Sequence, residues 1–247
     1  MALKTLLNYS PNFSLVKRKP KQIKFLIFHY TGMKKESEAL KKLTEIQSEV
    51  SSHYFIKNNG DVVLLVPDLY IAWHAGKSSW KNYKQLNKYS IGVEISNSGH
   101  QFNYKKFSQK QISSILSLSK FLIKKYQIDL KNILGHSDIA PNRKIDPGEK
   151  FPWKYLAKKK TSIWHSLSSD FLKKNRKIKI NNKEKKIFFI NLYKIGYSRN
   201  FSKKFNENNH LKSITKAFQR RFRQELINGL IDRECLVISN NLIKKHY

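Results

Sequence analysis

One cysteine, Cys235, leaves no partner for an intramolecular disulfide and too few thiolates for a cysteine-based zinc knuckle. No apolar run of about 18 residues or more occurs, so no segment reads as a membrane-spanning helix. The opening residues, MALKTLLNYSPNFSLVKRKPK, contain neither a long apolar stretch nor a small-residue cleavage site, so no secretory signal is expected. These absences point to a cytoplasmic protein, with a periplasmic or cell-envelope location by an unrecognised route as the alternative. Acidic residues are also scarce: 17 Asp and Glu face 49 Lys and Arg, a net charge of +32. Ala, Gly and Arg are few, while Lys, Asn and Ile are abundant. A bias that touches every kind of side chain reads as compositional drift; a selected anionic partner is the other reading. No recognition-helix pattern, RNP-like aromatic motif or Cys/His finger accompanies the charge, so no specific nucleic-acid partner is expected.

Hydrophobic residues make up 40% of the 247, enough for a real core and against wholesale disorder. QIKFLIFH (22–29) is almost wholly apolar, as a strand covered on both faces should be. HYFIKNNGDVVLLVP (53–67) reads as a hairpin around Asn59-Gly60, and SIGVEIS (90–96) alternates as a strand. Helical signals cover 36–47 and 108–126, the latter opening on a Ser-x-x-Gln capping box. NILGH (132–136) is a short strand leading into a loop. Alternating signals of this kind predict an α/β fold, a mixed central β-sheet flanked by helices. Residues 158–182 are polar, basic and poorly periodic, and read as a linker. Residues 183–247 show only helical patterns, with Gly196 and Gly229 as stops and Asp232 as a cap, and predict a small three-helix domain. The expected division is therefore 1–157, 158–182 and 183–247.

Four of the eight histidines, His29, His53, His74 and His136, sit at strand ends or in turn motifs. His100, His165, His210 and His246 lie in polar contexts and are expected to face solvent or lie in the linker. Catalytic zinc takes three protein ligands and leaves a fourth position for water. His29, His136 and Asp146 could supply three, each at or just beyond a strand end; a satisfied core or turn histidine is the competing reading for each one alone. In IGVEIS, alternation puts Glu94 on the face opposite Ile91, Val93 and Ile95. There it would serve as a general base if it faced a metal site, or would lie exposed on the sheet otherwise. Lys144, two residues before Asp146 and pointing the same way in an extended segment, could stabilise an oxyanion; a plain surface lysine is the alternative. Asp138 is expected to be structural.

HYTG, SSHYFI, AWHAG, IGVEI, GHSDIAP and RKIDPG occur in this order between about residues 8 and 157. Together they resemble the zinc-dependent N-acetylmuramoyl-L-alanine amidases of type 2, which share a fold with peptidoglycan-recognition proteins and phage lysozyme-amidases. AFQRRF followed by NGLID resembles, more weakly, a three-helix peptidoglycan-binding domain. The resemblance implies one zinc ion held by His29, His136 and Asp146, with Glu94 as base and Lys144 as the transition-state cation. It also implies that Tyr54 and His74 lie near the substrate cleft. The implied substrate is the amide between the lactyl group of N-acetylmuramic acid and L-alanine, in peptidoglycan or (anhydro)muropeptides. A non-catalytic peptidoglycan-recognition protein is the alternative within the same fold.

Overall fold

The computed structural model describes residues 5–199 and 206–247. Two short strands, β1 (Leu6–Leu7) and β2 (Phe13–Ser14), precede β3 (Phe25–Tyr30). Next come α1 (Glu36–Thr44), the hairpin of β4 (Tyr54–Ile56) and β5 (Val62–Leu64), and the small strands β6 (Ile71–Ala72), β7 (Ser79–Trp80) and β8 (Tyr83–Lys84). β9 (Ser90–Ile95), α2 (Gln109–Tyr126), β10 (Ile133–Gly135), α3 (His136–Ile139) and α4 (Trp153–Lys158) follow. The chain ends in α5 (Ser169–Asn175), α6 (Asn182–Ile195), α7 (Glu207–Phe222) and α8 (Arg233–His246). No helix among the described residues is long and apolar enough to cross a membrane.

Six strands make one mixed sheet in the order β1-β5-β4-β9-β3-β10. β4, β9, β3 and β10 run parallel, and β5 turns back antiparallel beside β4. Side chains on successive residues of a strand go to opposite faces. One face carries Leu26, Phe28, Ile91, Val93, Tyr54 and Ile56, packed against Ile115, Leu118 and Leu122 of α2. That helix starts as its capping box predicts: Ser108 Oγ accepts from the Gln111 backbone, and the Gln111 side chain accepts from the Ser108 N–H. The other face carries Phe55 and Val63 under Ala39 and Leu43 of α1, and Phe25, Ile27 and Leu134 further along.

Phe25, Ile27, Leu134 and Ile139 share a single core with Phe188, Leu192, Phe218, Phe222, Ile238 and Leu242 from α6, α7 and α8. The C-terminal helices therefore close onto the sheet as well as onto one another. Residues 158–182 also differ from a free linker. They contain α5, Ile163 and Ile180 enter the shared core, and Arg176 pairs with Glu234 at 2.8 Å and Glu225 at 2.7 Å. Lysines dominate the composition of this segment, yet a few apolar anchors and one arginine fix its course.

Candidate active site

His29 and Glu94 are register partners on adjacent parallel strands, β3 and β9. Their side chains share the face away from α2. Gly135, the last residue of β10, pairs with Phe28, so His136 leaves the sheet beside His29. Three neighbouring parallel strands thus end in three polar groups. Ligands of open α/β sheets bind at this end, outside the carboxyl termini of the strands.

The segment GHSDIAPNRKIDPG leaves the sheet at His136 and brings Asp146 back beside it. The Ser137 N–H donates to the Asp146 carbonyl at 2.9 Å. Gly135 is required there, because a Cβ would lie 2.7 Å from Pro147 Cδ. Asp138 is buried and turned away from the cleft: its carboxylate accepts from the Gly135 N–H (2.9 Å), the Tyr197 hydroxyl (2.7 Å) and Arg221 (3.0 Å). Asp138 therefore ties the loop to α7, in the structural role expected of it.

His29 Nδ1, His136 Nδ1 and Asp146 Oδ2 form a triangle with sides of 2.9, 3.1 and 3.1 Å. All three residues are buried, and their atoms can hold a metal ion. His136 Nε2 lies 3.2 Å from the Ala75 carbonyl and 3.4 Å from Arg143 Nη2, which leaves its Nδ1 turned to His29 and Asp146. Burial first, and then His136, lower the His29 pKa to about 4, so His29 is neutral near pH 7. Burial alone would raise Asp146, but the histidines beside it, His136 foremost, hold its carboxyl well below the ordinary range. Two imidazoles and a carboxylate placed this closely can hold a cation between them. Tetrahedral metal–ligand bonds of 2.0–2.1 Å imply ligand separations of about 3.3 Å, a few tenths wider than those found. The donor set fits such an ion.

Glu94 and Lys144 line the same cleft, about 570 Å³ in volume, together with His74, His136 and Asp146. Glu94 Oε2 is sealed from water and has no hydrogen-bond partner among the described residues. Burial, then the Asp146 charge, push its pKa up to about 8, while Lys144 and Lys42 oppose the rise. A carboxyl with a free oxygen and a raised pKa beside three atoms that could hold a metal is suited to exchanging a proton with a water.

His74 lines the cleft as expected, but its ring nitrogens are directed to His29 Nε2 (3.0 Å) and Ser90 Oγ (3.1 Å). Tyr54 is not brought to the cleft. It lies on the α2 face of the sheet, where its hydroxyl donates to Asp68 at 2.7 Å. Asp68 also accepts from Tyr126 and Lys125, so the group is fully engaged there. Among the histidines expected to face solvent, His165 and His210 are buried, and His100 bridges Tyr30 and Glu149 at the cleft mouth. Arg143 was not singled out from the sequence. Its guanidinium donates to the Ala75 and Lys77 carbonyls, bracing the turn that receives His136.

A His/His/Asp donor set at parallel strand ends, in a cleft that Glu94 and Lys144 also line, is the arrangement that metal-assisted hydrolysis on a mixed α/β sheet calls for. The sequence profile of N-acetylmuramoyl-L-alanine amidase matches residues 19–149. The chain is 34% identical over 238 residues to N-acetylmuramoyl-L-alanine amidase AmiD of Escherichia coli (strain K12), covering 91% of this chain and 84% of that one. It is 32% identical over 167 residues to 1,6-anhydro-N-acetylmuramyl-L-alanine amidase AmpD of Haemophilus influenzae, covering 60% of this chain and 88% of that one. The structure of the E. coli amidase in complex with anhydro-N-acetylmuramic acid-L-Ala-D-gamma-Glu-L-Lys superposes with a TM-score of 0.79 at 32% identity, over 94% of this chain and 92% of that one. AmpDh3 of Pseudomonas aeruginosa gives 0.78 at 28% identity, over 96% and 97%. The chain belongs to the N-acetylmuramoyl-L-alanine amidase family. It is a hydrolase of the amide bond between N-acetylmuramic acid and L-alanine, rather than a recognition protein of the same fold.

Proposed function

We propose that this amidase uses one zinc ion held by His29, His136 and Asp146, with Glu94 as general base and acid and Lys144 as the oxyanion cation. The observation that carries this reading is the triangle of three donor atoms 2.9–3.1 Å apart, with the unpartnered Glu94 carboxyl in the same cleft. When bound, zinc supplies a Lewis acid that lowers the pKa of a water toward about 7 and polarises a carbonyl. Glu94 takes the proton of the attacking water on its carboxylate. It then returns that proton to the departing L-alanine nitrogen, so the amine leaves neutral. Lys144 offers its ammonium to the oxygen of the lactyl carbonyl as that oxygen gains charge. Asp146 leaves the ligand set with one anionic member, which preserves most of the cation's charge for the substrate. Tyr54 has no part in this scheme, because it lies behind the sheet.

The substrate class we propose is the anhydro-muropeptide or peptidoglycan fragment, in line with the substrate bound to the E. coli relative. Residues 183–247 are proposed to add contacts with wall polymer. Exposed Lys183, Lys185 and Lys186 on α6 support this, since they present charge beside exposed Ile187 and Ile190. Exchange of Lys183 and Lys186 for Glu is expected to weaken cosedimentation with insoluble peptidoglycan and leave hydrolysis of soluble muropeptide unchanged.

The test of the central reading is elemental analysis of the purified chain combined with chromatography of the peptide released from an anhydro-muropeptide, with and without chelator. One zinc per chain and chelator-sensitive release of peptide are expected. A chain that retains stoichiometric zinc and releases no peptide would sink the proposal.

A further inference from the structure

A run of hydrogen bonds leads away from the metal-ligand triangle, through His29, into the sheet. Ser90 Oγ lies 2.6 Å from the Leu86 carbonyl oxygen and 3.1 Å from His74 Nε2. A carbonyl only accepts, so the one hydroxyl hydrogen of Ser90 goes to Leu86. The Ser90 oxygen is then left to accept from His74, which places the His74 hydrogen on Nε2. A neutral imidazole protonated there has its lone pair on Nδ1, and His74 Nδ1 lies 3.0 Å from His29 Nε2. His29 must therefore donate from Nε2, and its bare Nδ1 is the atom that meets His136 and Asp146. Each link has one allowed direction, set by the Leu86 carbonyl at the far end.

The surroundings of His74 hold it in this place. A Cβ on Gly92 would lie 2.3 Å from His74 Cγ, so only glycine at this point of β9 admits the ring. Asn87 Oδ1 accepts from the backbone N–H of Ala75 (2.7 Å) and of His74 (3.2 Å), fixing the WHAG turn. His53 stands on the other side, its Nδ1 accepting from the Gly92 N–H at 3.0 Å. His74 is buried, so its two ring nitrogens have these partners rather than water.

We propose that His74 is a positioning residue. With Ser90 and the Leu86 carbonyl it locks His29 in the Nε2–H tautomer and so keeps the His29 Nδ1 lone pair on the metal position. This rests on His29 being a metal ligand, and it assigns His74 a role other than touching substrate. Partners of this kind behind ligating histidines typically account for 10–100-fold in metal affinity. The relay differs from a carboxylate partner in adding no charge to the site.

The test compares full-length variants by zinc affinity, read by competition with a chromophoric chelator, and by imidazole ¹⁵N shifts of the zinc-loaded protein. His74→Phe keeps the ring's bulk over Gly92 but offers His29 no acceptor; zinc affinity is expected to fall 10–100-fold. His74→Asn sets an amide oxygen near the Nδ1 position and is expected to recover most of that loss. Ser90→Ala should weaken binding in the same direction by less. In the unmodified protein, the ¹⁵N spectrum should show both His29 and His74 protonated at Nε2. Unchanged affinity in His74→Phe, or a His74 found protonated at Nδ1, overturns the relay. Should His74→Phe fail to fold, the spectrum of the unmodified protein still decides. Loss of zinc in His29→Ala with full affinity in His74→Phe would reject the relay alone. Undiminished zinc affinity in His29→Ala would reject the ligand assignment beneath it.

Discussion

Glu94 keeps a carboxyl oxygen out of water without giving it a donor, a state that costs stability unless the group stays protonated or gains a cation. Burial and the Asp146 charge raise its pKa from an ordinary 4.5 to about 8. Between those values the metal-free folded chain holds a proton that the unfolded chain has released. Stability tied to this group is thus full below about pH 4.5 and is lost as pH climbs to about 8, with no further change above. In chelator-treated protein, urea unfolding from pH 5 to 8 should show the parent losing stability relative to Glu94→Gln, by up to about 1.4 kcal/mol per pH unit. Parallel stability curves for the two would return Glu94 to an ordinary pKa. In the metal-loaded enzyme, a nearby cation favours the ionised carboxylate, so the base is ready near neutral pH. Glu94→Gln should then retain its metal and lose about 10²–10⁴ in kcat. Lys144→Met should lower kcat by roughly 10²–10³ with little change in KM, as expected of a charge used mainly in the transition state.

At the level of elements, the loop from Gly135 to Gly148 shows how a catalytic segment borrows rigidity from a distant helix. Asp138 and Arg221 are both buried, 3.0 Å apart, and Arg221 also donates to the Ile133 carbonyl at 2.8 Å. Removing one partner of such a pair leaves the other charge buried and uncompensated, a loss of about 3–5 kcal/mol. Arg221→Ala should therefore lower the urea midpoint and, because Asp138 anchors the loop between His136 and Asp146, the proposed ligands, weaken zinc binding as well. A variant that loses stability but keeps parental zinc affinity would show that the loop is held without the clamp. The placement of His29 and Glu94 is legible in the sequence because strand ends and alternation are local: FHYTG places His29 at the end of β3, and VEI turns Glu94 away from α2. The same alternation argues against Tyr54, since neighbours on a strand point to opposite faces and Phe55 is the residue that pairs with Glu94. Motif likeness alone put Tyr54 in the cleft. Arg221 was not legible, because no periodicity announces a partner 83 positions away.

For the whole molecule, charge and periodicity divide the chain near residue 158, but the packing does not. The compositional break is real: residues 158–247 carry 23 basic and 6 acidic residues, +17 of the total +32. Surface composition says little about which apolar faces meet, and here those of α6, α7 and α8 meet the sheet. A fragment ending at residue 157 would uncover Phe25, Ile27, Leu134 and Ile139, all almost fully buried in the full chain. Burial of four such side chains is worth roughly 6–12 kcal/mol at 1.5–3 each, the scale of an entire domain's stability of about 5–15 kcal/mol. The fragment would also lose Tyr197 and Arg221 from Asp138. It is expected to show no cooperative thermal transition, to bind a hydrophobic dye, and to hold zinc poorly. Supplying 158–247 as a separate chain should restore a cooperative transition, because the missing contacts are side-chain packing rather than covalent linkage. A fragment 1–157 that melts cooperatively near the temperature of the full chain, with parental kcat on soluble muropeptide, would mean that the shared core is dispensable and the C-terminal helices are an appended module.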